Sequence, residues 1–201
     1  TPNDTSPFHA QSVDMLLSIW VQYFTEPKEW MMNNSTYTNL LRQAELHFSE
    51  IQRDHPTSFA CRNGCHACCE PDLTILPIEA DNIRSFLETH PETQAQLVEI
   101  QHRNPHNGTR CAMLNAEGAC TIYPVRPFIC RSHGAPIAIA REEYFQIDVC
   151  PLNFTDNPIE ELGPENFFIL DDWNDQLFGS NTDFERIPLT LSGLLSHPNK
   201  S

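Results

Sequence analysis

Apolar residues recur at helical spacing along most of the chain, and only the middle third follows another pattern. From Ser6 onward, Val13, Leu16, Leu17, Trp20, Val21 and Phe24 line one face of a helix that Ser6 can cap and Pro7 can start. Glu29 to Asn34 breaks this periodicity and predicts a loop. A second helix is expected over about Thr36 to Arg53, where Tyr37, Leu40, Leu41, Ala44, Phe48 and Ile51 form a stripe. Leu73 to Leu76 reads as a short extended piece. Pro77 then starts a helix with Ala80, Ile83, Phe86 and Leu87 on one face, and a polar helix runs from Pro91 to about His102. Asn104-Pro105-His106-Asn107-Gly108 follows as an exposed loop.

Beyond Arg110 the pattern shortens. Cys111 to Leu114 and Ala119 to Tyr123 flank Asn115-Ala-Glu-Gly118 and predict a hairpin that sets Cys111 beside Cys120. Pro124 to Arg131 reads as a turn or one helical turn, and Pro136 to Ala140 as a further strand. After Pro151 the chain is acidic and punctuated by proline, with an amphipathic stretch through Phe167, Phe168, Ile169, Leu170, Trp173 and Leu177. This stretch predicts a helix docked on the core, with a protein partner as the alternative use of its apolar face. The fold class expected is a helix-rich α+β domain in which a small β-hairpin and irregular cysteine-bearing loops pack on helices. The organisation expected is a helical extension over 1–57, a cysteine-bearing metal-binding domain over 58–152 and an acidic C-terminal segment over 153–201 docked on the core.

Composition narrows the function. With 201 residues, of which 40% are hydrophobic, the chain can bury a core without covalent staples. A formal charge of -15 would repel a phosphate backbone over most of the surface, so nucleic acid is not an expected partner. No apolar run approaches the roughly 20 residues needed to cross a bilayer, and no membrane partner is expected. The chain opens with Thr1 in a polar stretch, and whether a leader was removed is left open.

The eight cysteines all fall between 61 and 150. An even number admits a disulfide framework. Against it, Cys61, Cys65, Cys68 and Cys69 crowd into nine residues, and the neighbours Cys68 and Cys69 could bridge only through a strained peptide. Such spacing suits ligands around a metal. Asn63-Gly64 supplies a turn that lets the loop close on an ion. Cys111, Cys120, Cys130 and Cys150 come from separate segments, so a site that uses them forms only on folding. All eight are candidate metal ligands. They could fill two four-cysteine zinc sites or hold an iron-sulfur cluster with cysteines to spare, and spacing leaves that partition open.

Arginines cluster near these sulfurs. Only 12 Lys and Arg serve the whole chain, yet Arg62, Arg110 and Arg131 each adjoin a cysteine, with Arg126 and Arg141 close by. A guanidinium beside a thiolate lowers its pKa, which predicts support for the ionised form. His66 and His133 are possible extra ligands or hydrogen-bond donors to the site.

The run Cys61-Arg-Asn-Gly-Cys65-His-Ala-Cys68-Cys69, then Cys111-Ala-Met-Leu-Asn, Gly118-Ala-Cys120-Thr-Ile-Tyr123-Pro-Val-Arg126-Pro127-Phe-Ile-Cys130-Arg131 and a last Cys150, resembles the YkgJ-like CxxCxxCC cysteine-cluster family. That family is described as zinc- or iron-chelating. The likeness spans about residues 58 to 152 and departs from the family name in the three residues between Cys61 and Cys65. It implies that the cysteines are ligands and gives no substrate or reaction.

The expected function is therefore metal binding in a structural, storage or sensing role, without chemistry of its own. The alternative is a redox or radical-type iron-sulfur enzyme or a methyltransferase accessory protein. Cys61-x3-Cys65-x2-Cys68 matches the three-cysteine loop of radical S-adenosylmethionine enzymes, and flagellin lysine methylases carry a related cluster. The chain lacks the alternating strands and helices of such enzymes and the Gly-Gly-Glu run after the loop, and residue 67 is Ala where an aromatic is usual. Cys150-Pro151 is similar to the cysteine-proline ending of ferredoxin loops and tips the expectation toward iron. Free thiolates suit a reducing cytoplasm, with a periplasmic origin left open.

Overall fold

The computed structural model describes residues 37–103, 109–156, 158–179 and 184–196. The helix expected from Ser6 and the loops at Glu29 to Asn34 and Asn104 to Gly108 lie outside the described residues.

Helix α1 (Tyr37–Asp54) forms where the second apolar stripe predicts it, and Tyr37, Leu40, Leu41, Ala44 and Ile51 are its buried face. After the cysteine loop, β1 (Thr74–Ile75) leads into α2 (Pro77–Thr89) and α3 (Pro91–Arg103). Pro77 opens α2, where its missing N–H costs nothing, and Glu79 turns back to accept the Leu76 N–H at 2.9 Å. A 3-10 turn at Tyr123–Val125 and the five-residue α4 (Phe128–Ser132) follow.

The strands are short. Strand β2 (Ile137–Ala140) pairs antiparallel with β3 (Phe145–Asp148), Ile137 facing Asp148, and parallel with β4 (Phe168–Ile169), giving the order β3-β2-β4. Strand β1 pairs antiparallel with β5 (Ile187–Pro188). Two 3-10 turns, Ile159–Glu161 and Pro164–Asn166, and helices α5 (Leu170–Gly179) and α6 (Leu191–Ser196) complete the described elements, and the fold is helix-rich α+β.

Two expectations change in detail. The hairpin predicted at 111–123 reduces to one bridge, Leu114 with Cys120. The Asn115 side chain accepts the Ala119 N–H at 2.8 Å, and a side chain that caps its own turn competes with an extended ladder. The small hairpin of the fold is β2–β3 instead. In the C-terminal segment Phe168 and Ile169 form β4 rather than helix, because they find a free edge on β2, and α5 starts only at Leu170.

Burial falls into two apolar clusters. One joins the buried face of α1 to Phe128, the β2 residues Ile137 and Ala138, Phe168, Trp173 and Leu177. The other joins Ala80, Ile83 and Leu87 of α2 to Leu97, Met113, Ile122, Ile187 and Leu194. Trp173 stacks on Phe128 at 5.6 Å, so α5 is docked through the first cluster.

Candidate metal centre

All eight cysteines line one cavity of about 570 Å³. Its wall also carries Phe48 from the edge of the first apolar cluster and Met113 and Ile122 from the second, so it sits at the seam between them. Five stretches of chain deliver the sulfurs, and every cysteine is a free thiol. The disulfide framework is absent among the described residues.

Glycine packing brings the first two stretches together. Gly118 adopts φ +81, and a Cβ there would lie 2.6 Å from His66 Nδ1 and 2.9 Å from the Gly64 carbonyl oxygen. The turn at Asn115–Gly118 therefore fits against the Asn63-Gly64 turn only because position 118 has no side chain. His66 itself bonds with the Gly64 carbonyl at 3.0 Å, which occupies its Nδ1 in holding the loop.

The helix bearing Cys130 is held by carboxylates. Glu79 is buried, and its second oxygen accepts the N–H of Phe128, the first residue of α4, at 3.0 Å. On the other side Glu45 of α1 pairs with Arg126 at 2.7 Å and with Arg131. Arg131 also donates to the carbonyls of Arg126 at 3.0 Å and Pro124 at 2.9 Å. Asn153, three residues past Cys150, donates to Cys61 Sγ at 3.5 Å.

Burial dominates the electrostatics. It pushes the Cys111 thiol up, the Cys120 thiol up to about 11, and the Cys130 thiol higher still. Cys68 is raised first by its hydrogen bond with Cys69 and then by burial. Cys61 is exposed as a residue, yet burial also raises its thiol, because its Sγ is turned against Gly134 and Asn153. The expected stabilisation of thiolates by arginine is outweighed. Arg126 does pull Cys120 and Cys130 downward, but less than burial lifts them. Arg131 is spent on Glu45 and two carbonyls, and Arg141 bonds Gln146 at 2.6 Å. Arg62 lines the cavity, and Arg110 lines a second cavity beside α3.

The sulfurs fall into two neighbourhoods. Cys61 feels the charges of Cys68, Cys65 and Cys150, whereas Cys130 feels those of Cys111 and Cys120. Cys68 and Cys69 occupy consecutive positions and are hydrogen-bonded to each other, and both line the same cavity. His133 also lines the cavity. Burial holds its imidazole below the ordinary range, and it bonds the Cys68 backbone, so it serves as a neutral buttress of the loop.

The donor set fits a soft cation or an iron-sulfur cluster, since thiolates select zinc, copper(I) or iron-sulfur centres, and the lining carboxylate Glu45 is paired with Arg126 and Arg131. Among the described residues no three His, Cys, Asp or Glu side chains already stand at metal-holding geometry. The fit therefore rests on donor chemistry and on the shared cavity. Glu45 and Asn153 carried no local signal in the sequence, because their side-chain partners lie far along the chain, and the turn-back of Glu79 onto Leu76 marks a helix start but not its second bond to Phe128.

A helix-rich α+β scaffold that turns eight free thiols into one cavity defines a cysteine-cluster type of protein. Residues 60–151 match the model of the CxxCxxCC family, described as a "Putative zinc- or iron-chelating domain". The matched stretch includes every cysteine. No curated protein and no solved structure matches the chain. No helix among the described residues is long and apolar enough to cross a membrane.

Proposed function

We propose that the chain holds a metal centre on the thiolates of Cys61, Cys65, Cys68, Cys69, Cys111, Cys120, Cys130 and Cys150, and that its role is to keep, store or sense that metal rather than to catalyse a reaction. The observation that carries this reading is the convergence of all eight cysteines, unpaired, on one cavity. The two sulfur neighbourhoods favour two sites, Cys61, Cys65, Cys68 and Cys150 in one and Cys111, Cys120 and Cys130 in the other, with Cys69 left by elimination as the fourth sulfur of the second. Each has the donor count of a closed zinc site or of a cysteine-held cluster.

Because the thiols are raised by burial, a cation must displace protons to bind, and uptake releases them. The radical-enzyme alternative gains nothing from the fold, whose described strands make one two-stranded and one three-stranded sheet. Purification without oxygen, followed by visible absorption and metal analysis, tests the proposal. Two zinc per chain in a colourless protein, or iron with sulfide in a brown one, is the expected result. A chain free of zinc and iron that takes up neither on addition would overturn it.

A further inference from the structure

Asn153 is almost fully buried, at 4% exposure, and every polar atom of its amide is used. Oδ1 accepts the Ala60 N–H at 2.9 Å, and Nδ2 donates to the Gly134 carbonyl at 2.6 Å and to Cys61 Sγ at 3.5 Å. Its own N–H donates to the Cys150 carbonyl at 2.9 Å, and the following N–H, of Phe154, to the Ser58 carbonyl at 2.7 Å. One residue thus ties the start of the cysteine loop, the turn after α4 and the segment leaving Cys150.

The two backbone partners also fix which way the amide faces. Reversed, its NH2 would meet the Ala60 N–H and its oxygen the Gly134 carbonyl, so only one orientation is satisfied, and that one aims an N–H at sulfur. Gly134 makes the approach possible. It adopts φ +103, and a Cβ there would crowd Cys61 Sγ at 3.3 Å and Asn153 Nδ2 at 3.5 Å.

We propose that Asn153 is a positioning residue of the metal centre, whose Nδ2–H donates to the Cys61 sulfur and thereby aims it. This rests on the metal-holding reading above. An N–H bond to an ionised sulfur is charge-assisted, and partners that orient ligands are typically worth 10- to 100-fold in metal affinity.

The test loads the full chain with cobalt(II), whose thiolate-to-metal absorption reports on the sulfurs, and follows release to a chelator. Asn153→Asp keeps the acceptor for Ala60 and replaces the donor by a carboxylate facing sulfur. It should shift the thiolate-to-cobalt band and retain cobalt roughly 10- to 100-fold less well. An unchanged band and release rate, even with a lowered Tm, would reduce Asn153 to a strut and overturn the assignment. A second measurement needs no variant: in wild-type protein loaded with cadmium-113, the Asn153 side-chain amide proton should show coupling to the metal through the hydrogen bond. Bound cadmium without that coupling overturns the assignment while leaving the metal-holding reading intact. A wild-type chain that takes up neither cobalt nor cadmium removes both.

Discussion

Replacing Glu79 tests whether one buried carboxylate holds the Cys130 helix in place. Its two oxygens accept the Leu76 N–H at 2.9 Å and the Phe128 N–H at 3.0 Å, and neither donor has water as a substitute, since Leu76 and Phe128 are both at most 1% exposed. Glu79→Gln leaves one acceptor oxygen for two N–H groups, and its NH2 faces the other donor. The cost of one orphaned buried donor is about 1–3 kcal/mol. Glu79→Ala orphans both, which doubles the figure to about 2–6 kcal/mol. With a urea m-value of about 2 kcal/mol/M, the Gln variant should lose roughly 0.5–1.5 M in its unfolding midpoint and the Ala variant roughly 1–3 M. Trp173 fluorescence is a suitable probe, because that ring stacks on Phe128 at the start of α4. Midpoints for both variants within about 0.2 M of wild type would refute the reasoning, as would an Ala variant no worse than the Gln variant.

Three further outcomes follow from the same geometry. Burial holds the His47 imidazole below its ordinary value of 6.5, against the opposing pull of its bond to the Phe167 carbonyl, so the unfolded chain binds the proton first and stability falls as pH drops below 6.5. The stability difference between wild type and His47→Gln should therefore slope by up to about 1.4 kcal/mol per pH unit, and a flat difference between about pH 5 and 7 would count against the burial argument. Gly118→Ala puts a Cβ 2.6 Å from His66 Nδ1 at φ +81 and should cost at least about 1–2 kcal/mol, read as a Tm lower by roughly 2–8 °C; an unchanged Tm would mean the two turns do not meet. Cys65→Ser should lower metal content and Tm together where the metal is structural, whereas lost metal with an unchanged Tm would identify a storage or delivery site.

The helices were legible because their information is local. The stripe Tyr37, Leu40, Leu41, Ala44, Ile51 and the proline starts at Pro77 and Pro91 place α1, α2 and α3 within a residue or so of their observed ends. The crowding of cysteines at 61–69 was equally readable along the chain. Strand β3 was missed although Phe145 and Ile147 alternate with Gln146 and Asp148, because a four-residue alternation after an acidic turn is a weak signal. The role of Arg131 was misjudged for a different reason. Adjacency to Cys130 suggested service to the thiolate, but its partner is Glu45, 86 positions earlier, and no local pattern announces a carboxylate at that distance. Asn153, and the bond from Phe128 to Glu79, escaped notice on the same ground.

Those distant polar contacts explain how five stretches of chain come to share one cavity. Hydrophobic burial alone makes two clusters, and nothing in apolar packing requires the seam between them to be lined by sulfur. Directional groups set that arrangement: Glu79 fixes the first residue of α4, Glu45 and Arg131 clamp the turn before it, and Asn153 binds the start of the loop to the chain leaving Cys150. Each acts on a segment that carries a cysteine, and each is satisfied whether the thiols are protonated or ionised. On the proposed metal-holding reading, proton loss at the sulfurs, opposed by burial, is the step that a cation must drive, so metal and fold would stabilise one another through the cavity rather than through any one ligand. On that account, loss of a clamp and loss of a cysteine should weaken metal retention alike, but only the cysteine changes should alter how many sulfurs the metal sees.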